Sequence, residues 1–380
     1  MSRLFLAEIR MSTPRLSLLP RLIKSLWAVN AVFSVLLLSA CQPLHTPNAT
    51  AARMDYDITQ GWRATSPEQQ NVRTDALNAL AQALDADYPA IDSTLIVKNG
   101  YIIFEKYSHN GNEHTYHDLY SVTKSITSIL VGIAIDQGLI ESPAQPIASL
   151  FGDPDPNAWR GVTIDKLLTM SAGLDNGVAY RDMNYCMTVR DDWRGCLADV
   201  VRAAPDTDQF LYTESGAHLL SIILTERSGQ SELEFANDNL FGALDIVPAH
   251  WEVDIQGHNW GGSTLGLTTR DMAKIGLLML NQGQWGQRQL VSPAWVAEAT
   301  QKHSDGGPPL GVSYGYFWWL PTVADYATYT AFGSGGQFIQ VIPQLNAVVV
   351  ITAEPNNTNP YFLPLIEQYI IPALANSSEP

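Results

Sequence analysis

The chain has 380 residues, 46% of them hydrophobic, 16% charged and 9% aromatic, an ordinary globular composition with room for one large domain or two modest ones. Its 22 lysines and arginines against 38 aspartates and glutamates give a net charge of −16. No basic stripe is left to offset phosphate repulsion, so nucleic acid is not an expected partner. Three cysteines without a CxxC or Cys/His cluster, and no HExxH, leave no zinc signature and no metal is expected.

The first forty residues read as a targeting segment. Arg15, Arg21 and Lys24 precede an apolar run over 26–38 broken only by Asn30 and Ser34. That run is short for a bilayer span and suits a signal-peptide core. It closes on Leu38-Ser39-Ala40-Cys41, which resembles a bacterial lipobox, in which the cysteine becomes the lipidated first residue of the mature protein. A plain membrane anchor with an incidental cysteine is the alternative. Gln42 after the cysteine goes with outer-membrane sorting in Gram-negative lipoproteins. The expected organisation is a lipoprotein signal peptide over 1–40, a flexible tether over 41–60, and one domain over 61–380 facing the periplasm. Without the first forty residues, 17 basic residues remain against 37 acidic ones, so the body is more acidic than the whole chain.

Runs of β-branched and aromatic residues at 94–97 and 101–104 flank Asn99-Gly100, the strongest two-residue hairpin signal. Runs at 338–342 and 347–352 flank Pro343-Gln344-Leu345-Asn346 and precede a helical pattern over 361–373. These first and last segments are expected to share one antiparallel sheet. Between them, roughly 150–260 is helical in texture, with apolar spacing of helical period at 163–170, 197–203, 217–227 and 233–241. Within this lobe Cys186 and Cys196 stand ten positions apart and could close a short disulfide loop in an oxidising compartment; two free thiols are the alternative.

The segment Tyr120-Ser121-Val122-Thr123-Lys124 opens a helix, because Ile126, Ile129, Leu130 and Ile133 repeat at helical spacing and Gly138 supplies a C-terminal cap. Ser121 and Lys124 then lie on one face, about 4.5 Å apart along the axis, so the amine can meet the hydroxyl. A serine alcohol is a poor nucleophile until a base takes its proton. Ser-x-x-Lys alone is a weak motif, readable as a helix N-cap and a surface lysine. Position strengthens it: Lys124 is the one basic residue between Lys106 and Arg160, in a helix otherwise apolar, where a structural charge would be costly to bury.

Two more elements follow. Tyr212, just before Glu214-Ser215-Gly216 and a helical run, can project its phenol into a cleft, where a phenolate near a lysine could act as general base. The turn Phe332-Gly333-Ser334-Gly335-Gly336-Gln337 enters a strand, and its glycines let backbone N–H groups approach a substrate as an oxyanion hole requires, unless it is a plain hairpin turn. Trp318 and Trp319 could wall a substrate cleft, or one of them could be core. His218 reads as a packing residue, and His258 could line the cleft. No Gly-x-Ser-x-Gly elbow is present, which disfavours an α/β-hydrolase.

The order Ser121-x-x-Lys124, Tyr212-x-Glu214, then a Gly-rich turn before a C-terminal hairpin resembles the serine β-lactamase-related hydrolases. That family spans class C β-lactamases, low-molecular-weight penicillin-binding proteins, and esterases and amidases including 6-aminohexanoate-dimer hydrolase. The resemblance covers roughly 85–375 and extends to Leu167-Leu168-Thr169-Met170-Ser171-Ala172-Gly173-Leu174, to the stretch from Leu265 to Leu278, and to Tyr314-Gly315-Tyr316-Phe317-Trp318-Trp319. It implies an α+β, β-lactamase/transpeptidase-like fold with an antiparallel sheet, flanking helices and a mainly helical lobe, the active site lying between sheet and lobe. It also implies an acyl-enzyme on Ser121, proton shuttling by Lys124 and Tyr212, and an oxyanion held by the Ser121 N–H and a donor from the Gly335, Gly336, Gln337 stretch. No cofactor is implied, and the implied substrate is a small amide or ester.

Two departures stand out. Relatives commonly carry Asn or Ser where this chain has Glu214, and a carboxylate there favours a charged Lys124 and weakens it as a base. The Lys-Thr-Gly or His-Thr-Gly expected on the third strand, which recognises a β-lactam carboxylate, is replaced by Gly333-Ser334-Gly335. Loss of that cation favours a neutral or cationic amide or ester over a β-lactam, as does the acidic surface. A cell-wall D,D-peptidase or β-lactamase, and a non-catalytic binding lipoprotein disabled by Glu214, are the competing expectations.

Overall fold

The computed structural model describes residues 56–152, 159–174, 195–196, 198, 209–357 and 360–375. The predicted signal peptide, Cys41, most of the tether, Cys186 and all but Ala198 of the predicted helix at 197–203 lie outside them. Among the described residues no helix is long and apolar enough to cross a membrane.

A seven-stranded antiparallel sheet organises the described chain. Its strands run, in spatial order, Tyr101–Tyr107, Ile91–Lys98, Ala347–Ala353, Gln337–Ile342, Tyr329–Gly333, Trp319–Leu320 and Ser313–Tyr314. First and last segments of the domain thus share one sheet, as expected. At the predicted hairpin, Lys98 pairs with Tyr101 and both Asn99 (φ 53°) and Gly100 (φ 84°) take the left-handed conformation that a tight two-residue turn demands.

The two central strands, Gln337–Ile342 and Ala347–Ala353, are buried at every position, which requires cover on both faces. Alternation along the first shows how this is met. Phe338 packs on Phe362 beside the C-terminal helical segment, while a Cβ on Gly276, in the helix Thr269–Leu280, would stand 2.8 Å from Ile339 Cγ2. Successive residues point to opposite faces, so these two helical elements lie on opposite sides of the sheet. The missing side chain at Gly276 lets its helix lie close on Ile339 and Val348.

The helix Val122–Asp136 is buried from Val122 to Ala134, enclosed by neighbours on every face, its polar Thr123, Lys124, Ser125, Thr127 and Ser128 included. It stops before Gly138, whose φ of 72° is the left-handed C-terminal geometry anticipated for it. Helices Ser215–Ser228 and Glu232–Ala236 pack beside it, the latter continuing as a wider turn through Asn237–Phe241. The predicted terminal helix begins two residues late, at Leu363, and runs to Leu374. The predicted helix at 163–170 is the shorter Ile164–Leu168.

Candidate active site

The site is built around the start of the buried helix. Leu119 N–H donates to Leu265 O at 2.8 Å, which ties the approaching chain to the small sheet formed by Tyr116–Asp118, Leu265–Thr268 and His250–Trp251. Tyr120 then adopts φ 47°, a left-handed conformation costly for a residue with a side chain. This sharp reversal delivers Ser121 at the head of the helix. Ser121 stands at the N-cap position, yet its side chain makes no capping hydrogen bond. Its hydroxyl is left for other partners.

Those partners converge on Lys124. Its Nζ donates to Ser121 Oγ at 2.9 Å and to Gly262 O at 3.0 Å, and it forms an ion pair with the Glu214 carboxylate. Lys124 is only 1% exposed, and a buried ammonium is tolerated because every one of its N–H groups meets an acceptor. Ser121 Oγ in turn lies 3.4 Å from Glu214 Oε1. The predicted neighbours at i and i+3 therefore meet, and Glu214 joins them.

Tyr212 completes the cluster. Its ring centroid is 5.1 Å from Lys124 Nζ, and the ring stacks on Trp319 at 5.6 Å with an interplanar angle of 28°. Burial pushes its phenol up; the Lys124 ammonium and hydrogen bonds with Ser121 and Lys124 pull it down, the Glu214 carboxylate pushes it up, and the net shift is upward. That direction favours the phenol, a proton donor, over the phenolate base considered from its sequence position. Burial likewise holds the neighbouring Tyr314 well above the ordinary phenol range.

The glycine turn meets Ser121 one step earlier than expected. A Cβ on Gly333 would collide with Leu119 O and stand 3.3 Å from Ser121 N, so the end of the strand Tyr329–Gly333 lies along the Ser121 turn only because this residue is glycine. Gly335 (φ 77°) and Gly336 (φ 107°) reverse the chain, and side chains there would crowd Glu354 O and the Phe362 ring respectively. Gln337 turns its amide to Ala353 O at 2.7 Å. The predicted Gly335, Gly336 and Gln337 thus form the turn and its anchorage, and the backbone alongside Ser121 is that of Gly333.

Trp318 does not wall a cleft. It is 0% exposed and packs edge-on against Tyr329 at 5.6 Å, in the core just before the strand Trp319–Leu320. Trp319 is the tryptophan near the site, and it too is buried, beneath Tyr212. His218 is buried and its Nε2 lies 3.0 Å from Asp254 Oδ2, the packing role expected of it. His258 sits 3.5 Å from the same carboxylate and belongs to that cluster. Burial opposes ionisation of Asp254, but hydrogen bonds from His218, from His258 and from the His258 and Gln256 backbone outweigh it and hold the carboxyl far below the usual range. Cys196 is disulfide-bonded. Asp92, His109 and Glu354 form the one group among the described residues whose ligand atoms, all within 4.8 Å, could hold a metal ion, and there His109 Nδ1 already pairs with Asp92 Oδ1 at 2.8 Å.

Residues 79–369 match the Beta-lactamase family. The chain belongs to that family. Among its relatives is the 6-aminohexanoate-dimer hydrolase of Paenarthrobacter ureafaciens, 26% identical over 329 residues that cover 80% of this chain and 81% of the relative. Its fold is shared with a 6-aminohexanoate-dimer hydrolase candidate from Bacillus anthracis, with a TM-score of 0.66 at 17% identity over 82% of this chain and 87% of the other. It is shared also with the octameric penicillin-binding protein homologue of Pyrococcus abyssi, with a TM-score of 0.63 at 16% identity over 78% and 76% of the two chains. The β-lactamase/transpeptidase-like architecture expected from the sequence is therefore the one observed.

Within this Beta-lactamase family chain, one site residue was not anticipated. Gly262 supplies the third acceptor to Lys124, while Gly333, a member of the predicted glycine turn, flanks Ser121. The doublet Gly261-Gly262 after Trp260 was the available signal, but a glycine needed for close approach looks like any loop glycine until its neighbour is known.

Proposed function

We propose that this chain is an exported serine hydrolase that cleaves small amides or esters through an acyl-enzyme on Ser121. The observation that carries the reading is the 2.9 Å contact between the buried Lys124 Nζ and Ser121 Oγ, in a half-buried cluster that includes Tyr212. An alcohol so placed can attack a carbonyl, with the Ser121 N–H and a second donor from the adjoining glycine turn stabilising the oxyanion. Relationship to the 6-aminohexanoate-dimer hydrolase supports a linear amide as substrate. The sequence Phe332-Gly333-Ser334, without a lysine or histidine at the position that would meet a β-lactam carboxylate, supports a neutral or cationic substrate. The order of basic residues, apolar core and Leu38-Ser39-Ala40-Cys41 supports export, lipidation at Cys41 and a periplasmic, outer-membrane-anchored location.

Intact-protein mass spectrometry with a fluorophosphonate, with benzylpenicillin and with p-nitrophenyl esters and short linear amides tests the reading. The expected result is a stable fluorophosphonate adduct on Ser121, turnover of esters or amides, and no stable penicillin adduct. Penicillin acylation would instead assign the chain to cell-wall chemistry, and no adduct from any reagent would make it a binding lipoprotein.

A further inference from the structure

We propose that Glu214 is a catalytic residue: the carboxylate that takes the Ser121 proton during acylation and activates water during deacylation, with Lys124 remaining an ammonium throughout. The inference rests on the acyl-enzyme reading above and assigns the base within it.

Hydrogen-bond inventory carries the argument. An ammonium has three donors and no acceptor, and Lys124 Nζ faces three acceptors: Ser121 Oγ at 2.9 Å, Gly262 O at 3.0 Å and Glu214 Oε1. With Lys124 donating to it, Ser121 Oγ keeps one proton of its own to place. Two oxygens lie in reach: Glu214 Oε1 at 3.4 Å, a separation of the kind that shortens when substrate closes a site, and the Tyr212 hydroxyl, which also hydrogen-bonds with Ser121. Of the two, the carboxylate paired with Lys124 is the acceptor that can keep a proton, since burial disfavours the phenolate form of Tyr212. The charged and titratable groups facing Glu214 are Lys124 on the buried helix, Tyr212 on its own segment and Tyr314 on the edge strand.

The backbone makes room for this carboxylate. A Cβ on Gly262 would collide with Glu214 Oε2 and stand 3.2 Å from Lys124 Nζ, so the glycine that supplies a carbonyl to the lysine also vacates the space the carboxylate occupies.

The steps balance. Glu214 accepts the Ser121 proton as Oγ bonds to the substrate carbonyl carbon, and the oxyanion forms against the Ser121 N–H and the adjoining glycine turn. The bond to the leaving nitrogen or oxygen then breaks, and the proton on Glu214 passes to that atom, directly or through the Tyr212 hydroxyl. In the second half Glu214 takes a proton from water, the hydroxide adds to the acyl carbon, the bond to Oγ breaks, and the proton returns to Ser121.

The test compares full-length wild type, Glu214→Gln, Glu214→Asp and Ser121→Ala in detergent, by p-nitrophenyl butyrate hydrolysis across pH and by the rate of fluorophosphonate labelling. Glu214→Gln is expected to lower kcat/KM and labelling by about 10²–10⁴-fold and to remove the acid limb of the pH profile, while Glu214→Asp keeps that limb. Glu214→Gln activity within about threefold of wild type with an unchanged acid limb, alongside an inactive Ser121→Ala, would overturn the role of Glu214 and leave the nucleophile standing. Turnover by Ser121→Ala would overturn both. Should Glu214→Gln fail to fold, the wild-type profile decides: an acid limb in the carboxylate range supports the assignment, and one in the amine range overturns it.

Discussion

Thr127 Oγ1 lies 2.8 Å from Glu232 Oε1 and 2.7 Å from Gly261 O. One hydroxyl proton cannot serve both oxygens, so a protonated Glu232 supplies the second hydrogen bond. Its 0% exposure agrees, since burial pushes the carboxyl up to about 8 even though its contacts with Ser221 and Thr127 favour the ionised form. The neutral acid thereby braces Gly261 and, one residue on, the Gly262 carbonyl that receives Lys124.

This protonation makes stability depend on pH. The folded chain holds a proton on Glu232 that the unfolded chain releases near the ordinary value of 4.5, so stability is fully present below that value and falls as pH rises toward about 8. Urea denaturation at pH 5 and pH 8 should show wild type losing a few kcal/mol more over that interval than Glu232→Gln. Equal losses in the two proteins would mean that Glu232 is ionised in the fold.

Ser121→Ala, Lys124→Ala and Tyr212→Phe are each expected to lower ester or amide turnover by about 10²-fold or more, because they remove members of one unit and their effects do not add. Circular dichroism should show all three folded. Lys124→Ala should be the least stable, since it leaves Glu214 without its counter-ion.

Gly262→Ala places a methyl group where Glu214 and Lys124 meet. The expected outcome is a folded protein whose kcat falls at least about tenfold, with fluorophosphonate labelling of Ser121 slowed in parallel. Normal labelling would show that the carboxylate can retreat without cost.

Trp318→Ala separates the core from the cleft. A fully buried indole lost from the sheet should cost about 3–5 kcal/mol in denaturant unfolding. The KM of the folded fraction should be unchanged, and a raised KM with little loss of stability would restore the tryptophan to the substrate wall.

Legibility in the sequence followed the range of each interaction. Asn99-Gly100 and the Ser121–Lys124 spacing were readable because their geometry is local: a turn conformation in one case, one helical face in the other. Tyr212 and Glu214 were visible as residues, but the direction of proton flow depends on a lysine 90 positions away from Glu214. Gly262 and Gly333 act by the absence of a side chain, which carries meaning only against the group that fills the space. Trp318 and Trp319 were indistinguishable because adjacent aromatics carry no local sign of which is covered, and only the assembled sheet says that both are.

The buried helix is held by contacts that arrive late in the chain: Ser125 Oγ donates to Phe317 O across 192 positions, and Lys124 reaches Gly262 across 138. A polypeptide emerging N-terminus first therefore exposes its nucleophile long before the segments that give it a charge partner, a carbonyl clamp and a dry setting. Until those segments dock, Ser121 is an ordinary alcohol on an unfinished chain. Chemical competence is thus expected to be a property of completion, and fragments ending before Glu214 and Gly262, although they carry both Ser121 and Lys124, are expected to be inert toward acyl groups.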